Sequence, residues 1–152
     1  MKRRGFLQGG GAVALWPVLG HTPFPQWKVY RKLHLFIVVD REDELACDLG
    51  RAIARTLATE LPESRAMITR ARDALRVASL LSTKQLDVAL VTRSQLAAWR
   101  QNEPPYDQLQ PTGLKEIFAV EDYVLVNRDD LLAEHAAALS QTLQTWRPAL
   151  PT

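Results

Sequence analysis

The chain has 152 residues, of which 47% are apolar, enough for one core and too few for two domains of ordinary size. Its 19 Lys and Arg exceed its 17 Asp and Glu, but Lys2, Arg3 and Arg4 crowd the start; 19 less those three leaves 16 against 17, a formal −1 for the rest. That balance excludes the electrostatic footprint of a nucleic-acid or membrane-surface binder, and a single cysteine, Cys47, excludes an internal disulfide.

The chain opens "MKRRGFLQGGGAVALWPVLG". A basic front, a glycine-rich apolar run from Gly9 to Leu19 and a small residue at Gly20 have the layout of a secretory signal. The apolar run is shorter than the ~20 residues a spanning helix needs. Arg3, Arg4, Phe6 and Leu7 stand in the order of the twin-arginine export motif, which "KRRGFLQ" resembles. The resemblance implies recognition by the twin-arginine translocase, a periplasmic destination and a mature chain starting near His21. Residues 1–20 are therefore expected to be a signal and 21–32 a linker.

From 33 onwards strand-like and helix-like segments alternate. "LHLFIVVD" (33–40) is a near-continuous apolar run, the pattern of a parallel strand buried on both faces, with His34 inside it. "REDELACDLGRAIARTLATEL" spaces Leu45, Leu49, Ile53, Leu57 and Leu61 four apart, a helical stripe that Pro62 ends. Glu42, Asp43 and Glu44 in its opening turn satisfy the helix dipole internally and repel an anion. "RAMIT" (65–69) predicts a strand, "RDALRVASLLSTKQ" (72–85) a helix, "DVALV" (87–91) a strand and "SQLAAWRQ" (94–101) a short helix.

"NEPPYDQLQPTG" then reads as a proline-rich loop. "LKEIFAV" and "YVLVN" are two strands or one long bent strand, divided at Glu121-Asp122. A last helix follows Asp129-Asp130, with Leu132, Ala136, Leu139, Leu143 and Trp146 along one face and Pro148 as its stop. The expected architecture is a three-layer α/β sandwich with a mostly parallel sheet over residues 33–147, and 148–152 as a tail.

"LDVALVTRSQLAAW" (86–99) resembles a stretch of periplasmic solute-binding proteins, in particular the TAXI receptors associated with TRAP transporters, where a helix runs into a Gly-x-x-Asp-hydrophobic strand and then a short helix. "GLKEIFAVEDYVLVNRDDLLAEHAAALSQTLQTW" is similar to two separated parts of that family, the strand leading out of the first lobe and the strand and helix that return to it. The family inserts a second lobe between them, and this chain inserts nothing. The resemblance implies a type 2 binding-protein fold reduced to a single lobe, non-catalytic, binding a small solute for transport or sensing. The chain departs from the family after its first strand, where "DREDEL" replaces a glycine-rich loop.

In open α/β sheets ligands sit at the carboxyl ends of the strands, where helix N-termini present unpaired NH groups to anions. Thr69, Arg70, Arg72, Thr92, Arg93 and Ser94 are the candidate ligand-binding residues there, with Arg forks for a carboxylate or phosphate and Thr69, Thr92 or Ser94 to cap or donate. The alternative is a surface network in which the three arginines pair with Asp40, Glu42, Asp43 and Asp73. His21, His34 and His135 lack metal-ligand spacing, Cys47 reads as a packing residue, and Ser94 reads as an N-cap rather than a nucleophile. No cofactor is implied. A second function class is an accessory subunit that docks on another exported protein or redox enzyme. In that reading Tyr123 to Asn127 and the loop around Pro104, Pro105 and Tyr106 are left bare and mediate a homodimer or a complex.

Overall fold

The computed structural model describes residues 34–110 and 112–148. The expected signal and linker, with Arg3, Arg4, Phe6 and Leu7, lie outside the described residues, as does the tail beyond Pro148. In chain order the elements are β1 (Phe36–Asp40), α1 (Glu44–Glu60), a 3-10 turn (Pro62–Ser64), β2 (Met67–Ala71), α2 (Ala74–Ser82), β3 (Val88–Thr92) and α3 (Arg93–Arg100). A second 3-10 turn (Tyr106–Gln108), β4 (Leu114–Val120), β5 (Tyr123–Arg128) and α4 (Ala133–Gln144) complete the chain.

The five strands form one sheet in the order β2-β1-β3-β5-β4. β1 pairs parallel with β2 and β3, and only β5 runs against its two neighbours. The α/β class and the mostly parallel sheet match the expectation from sequence. "EIFAVEDYVLV" resolves into two antiparallel strands joined by a tight turn, where Glu121 takes a left-handed φ of 51°.

Alternation along the strands divides the core between two faces. Ile37, Val39, Val88, Leu90 and Leu125 point to one side, under α1 and α4; Val38, Ala89, Val91, Val124 and Val126 point to the other, under α2 and α3. Helices on both faces make three layers. Gly50 sets the approach of α1, since a Cβ there would stand 2.8 Å from Val39 Cγ1 and 3.4 Å from Ile68 Cγ2.

Several boundaries differ from the sequence reading. β1 begins at Phe36, which leaves His34 exposed rather than inside a buried strand. β2 lies two residues later than expected because the Pro62–Ser64 turn ends on Arg65 in the left-handed conformation. α2 and α3 each shift or shorten at their ends. In α1, Leu49, Ile53 and Leu57 are buried as expected, but Leu45 is 39% exposed and Leu61 is the half-buried C-cap. A strict four-residue spacing creeps about 40° per step around a helix, so the two ends of that stripe drift off the face. Ala46, Gly50 and Ala54 fill it instead.

In α4, Leu139 and Leu143 are buried, whereas Leu132 is 56% exposed as the N-cap. Trp146 lies past the helix and packs on Phe118, with ring centroids 5.8 Å apart. Arg128, the last residue of β5, ties the amino end of β3 to the segment after β5. Its guanidinium donates to Asp87 at 2.6 Å, Asp130 at 2.8 Å and the Leu86 carbonyl at 3.2 Å. That hydrogen bond holds the Asp130 carboxyl below its usual range.

Candidate functional site

The carboxyl ends of β1, β2 and β3 lie side by side, with Asp40 opposite Ala71 in the register. Three helices start just beyond them, and each N-terminus is closed by its own side chain. Asp43 caps α1, accepting from Ala46 N at 2.9 Å. Asp73, not Thr69, caps α2, accepting from Arg76 N at 2.7 Å. Thr92, not Ser94, caps α3 in a reciprocal box: Gln95 N donates to Thr92 Oγ1 at 3.1 Å and Thr92 N donates to Gln95 Oε1 at 3.0 Å. Ser94 Oγ lies 3.1 Å from Thr92 Oγ1, so the cap also orients the serine hydroxyl.

Arg93 begins α3 and is fixed from two sides by the β4–β5 turn. Its backbone NH donates to the Asp122 carbonyl at 2.7 Å, and its Nε–H donates to the Glu121 carbonyl at 3.0 Å. Its two terminal nitrogens have no hydrogen-bond partner among the described residues. Thr92, Arg93 and Ser94 line an open cleft of about 470 Å³ with Leu45, Glu121, Asp122 and Tyr123. The cleft sits beside the point where the strand order reverses around β1 and β3, the position where open α/β sheets hold ligands.

Tyr123 forms part of the cleft's lining. The phenol donates to both carboxylate oxygens of Asp43, at 2.9 and 2.7 Å, across 80 residues of sequence. Burial first, then that hydrogen bond and the carboxylate's charge, hold the hydroxyl well above its ordinary pKa. Asp43 therefore caps α1 and receives the phenol, while Leu45 of that helix's first turn lines the cleft.

The six sequence candidates do not meet at one point. Thr92, Arg93 and Ser94 share the cleft. Arg70 lies in β2 rather than in a loop and lines a separate depression of about 290 Å³ beside Cys47. Thr69, also in β2, and Arg72 line neither. The alternative arginine network is present in one pair only among the described residues, Arg72 with Asp73 at 3.1 Å, and that Arg72 side chain is 72% exposed. Glu121, Asp122, Tyr123 and Leu45 enter the site without having been candidates. The signal for the first three was the charged turn between two strand-like runs.

Of the surfaces expected to be bare, Tyr123 to Asn127 and Tyr106 are covered, whereas Pro104 and Pro105 are exposed. β5 lies inside the sheet between β3 and β4, and Tyr123 to Asn127 are all buried. In the proline-rich loop Pro104 and Pro105 are exposed, but Tyr106 is 4% exposed and stacks on Trp99 with centroids 6.2 Å apart. Burial, and then the charges of Asp40 and Asp73, push its phenol pKa up. Tyr106 thus fills the α2–α3 side of the carboxyl edge, opposite the Arg93 cleft. Cys47 is buried and its thiol donates to the Asp40 carbonyl at 3.3 Å. Among the described residues no group of three His, Cys, Asp or Glu is placed to hold a metal ion.

Compared with known proteins, the chain matches no family model, no curated protein and no solved structure.

Proposed function

We propose that the chain is an exported, non-catalytic, single-lobe domain of the solute-binding-protein type, and that it binds a small anionic solute at the Arg93 cleft. The observation that carries this reading is the fixed guanidinium of Arg93 at the mouth of a cleft beside the reversal of strand order. In the proposed role, the free edge of the fork takes a carboxylate and the Ser94 hydroxyl, oriented by Thr92, donates a further hydrogen bond. Glu121 and Asp122 on the rim repel additional negative charge, so the cleft suits a ligand with one anionic group.

The order of the last two strands also supports the reading. A strand that leaves a lobe and one that returns to it run in opposite directions, as β4 and β5 do, and here a two-residue turn replaces the excursion between them. With one wall instead of two, the cleft cannot exclude water from around the solute, and binding is weak. Export through the twin-arginine translocase to the periplasm rests on Arg3, Arg4, Phe6 and Leu7.

Calorimetry of the full chain with a panel of monocarboxylates and dicarboxylates tests the site. A monocarboxylate should bind at a dissociation constant of roughly micromolar to millimolar, and Arg93→Ala should abolish the binding. Undiminished binding by Arg93→Ala, or no carboxylate binding by the parent chain, would overturn it.

A further inference from the structure

The depression around Arg70 shares no residue with the Arg93 cleft. It is lined by Arg41, Glu44, Cys47, Asp48, Arg51 and Arg70, on the α1 face of the β2 edge. Three arginines from three different segments line it, each on a well-anchored backbone. Arg70 is held in β2 opposite Val39, and Arg41 follows β1 with its NH on the Ala71 carbonyl at 2.9 Å. Arg51 projects from α1 next to Gly50, the residue at which that helix comes closest to β1 and β2.

The charges there are only partly balanced. Asp48 accepts from Arg51 Nη1 at 2.6 Å, which steadies that guanidinium and leaves its Nε and Nη2 free. Neither Arg41 nor Arg70 has an ion-pair partner among the described residues. The Cys47 thiol at the base donates to the Asp40 carbonyl, so the base adds no carboxylate to compete for the arginines. Of the two acids in the lining, Asp48 is thus paired and Glu44 is without an ion pair among the described residues.

We infer that this depression is an oxyanion site for a phosphate-type dianion, independent of the Arg93 cleft. A tetrahedral dianion presents oxygens to donors arriving from three directions, whereas a planar carboxylate satisfies one fork. The volume of about 290 Å³ leaves room for a phosphate monoester as well as the free ion.

Calorimetric titration of the full chain with inorganic phosphate and with glycerol phosphate, and of its Arg93→Ala variant, in which the carboxylate cleft is disabled, with acetate tests the site. Phosphate or its ester should bind, acetate should not bind the Arg93→Ala variant, and the tighter of the two phosphates identifies the source of the phosphoryl group. Arg70→Ala and Arg41→Ala should each weaken binding by roughly tenfold or more, as loss of a charge-assisted hydrogen bond requires. Arg93→Ala should leave it unchanged, which separates this site from the carboxylate cleft. Arg70 and Arg41 are exposed, so these variants are expected to fold, and circular dichroism checks that they do. Absence of phosphate and ester binding up to about 10 mM, equal binding by acetate, or unchanged binding by both arginine variants would overturn the inference.

Discussion

Replacing Tyr123 by phenylalanine removes a single oxygen, and with it the link between β5 and the cap of α1. The residue is 9% exposed and its hydroxyl is 2.7 and 2.9 Å from the two oxygens of Asp43. A hydrogen bond to a charged group contributes about 1.5–3 kcal/mol. Asp43 is only half-buried and keeps its bond from Ala46 N, so water can partly replace the lost donor. The expected cost at neutral pH is therefore at the lower end, about 1.5 kcal/mol. The pH dependence has a definite sign. The folded phenol is held above its ordinary value, so its contribution is complete below a pH of about 10 and is lost as pH rises from there towards the folded value.

Urea unfolding of both proteins at neutral pH and at several points above pH 10 reads this out. The stability difference between them should shrink above pH 10 by up to about 1.4 kcal/mol per unit. Taking the difference removes the contribution of Tyr106, whose phenol pKa is also raised. A difference below about 0.5 kcal/mol at neutral pH, or one that stays constant through the alkaline range, would refute the assignment.

Ile53 is fully buried at the middle of α1, and Ile53→Ala should cost about 2–5 kcal/mol by urea unfolding. A loss near zero would mean that α1 presents another face. Gly50→Val should destabilise by about 1–3 kcal/mol, because a Cβ there comes 2.8 Å from Val39 Cγ1 and α1 must back away from the sheet; a melting temperature equal to the parent's would contradict that contact. Changing Arg3 and Arg4 together to lysine should leave the precursor in the cytoplasm, since twin-arginine recognition reads the guanidinium pair rather than charge alone. Fractionation followed by immunoblotting checks this, and an undiminished periplasmic yield would sink the export assignment.

The layer structure was legible because "FIVV" and "VALV" are short, β-branched and apolar at consecutive positions, as strands covered on both faces require. Element ends were less so. Left-handed residues follow α2, α3 and the first 3-10 turn at Lys84, Asn102 and Arg65, none of them the glycine that usually announces such a stop. The displacement of β2 then altered the candidate site: it moved Arg70 out of a loop and into the strand, on the face shared with Val39. Thr92, Arg93 and Ser94 were identifiable from the strand-to-helix step alone. Their neighbours Glu121, Asp122 and Tyr123 were not, since the pairing of Thr92 with Tyr123 depends on the register of strands separated by about thirty residues of chain.

Among the described residues the order β2-β1-β3-β5-β4 leaves β2 and β4 as the outer strands, and this bears on how copies of the protein behave when concentrated. An unpaired strand invites another molecule to extend the sheet and begin a fibre. β2 carries an exposed Met67, 49% accessible, but also the exposed guanidinium of Arg70, so two such edges brought together confront cation with cation. β4 shows exposed Lys115 and Glu116, and its register slips at Ile117, between Glu116 and Phe118, which interrupts the straight ladder a newcomer would need. Both margins of the sheet thus resist templating, and a concentrated solution should stay free of fibrils while the fold is intact.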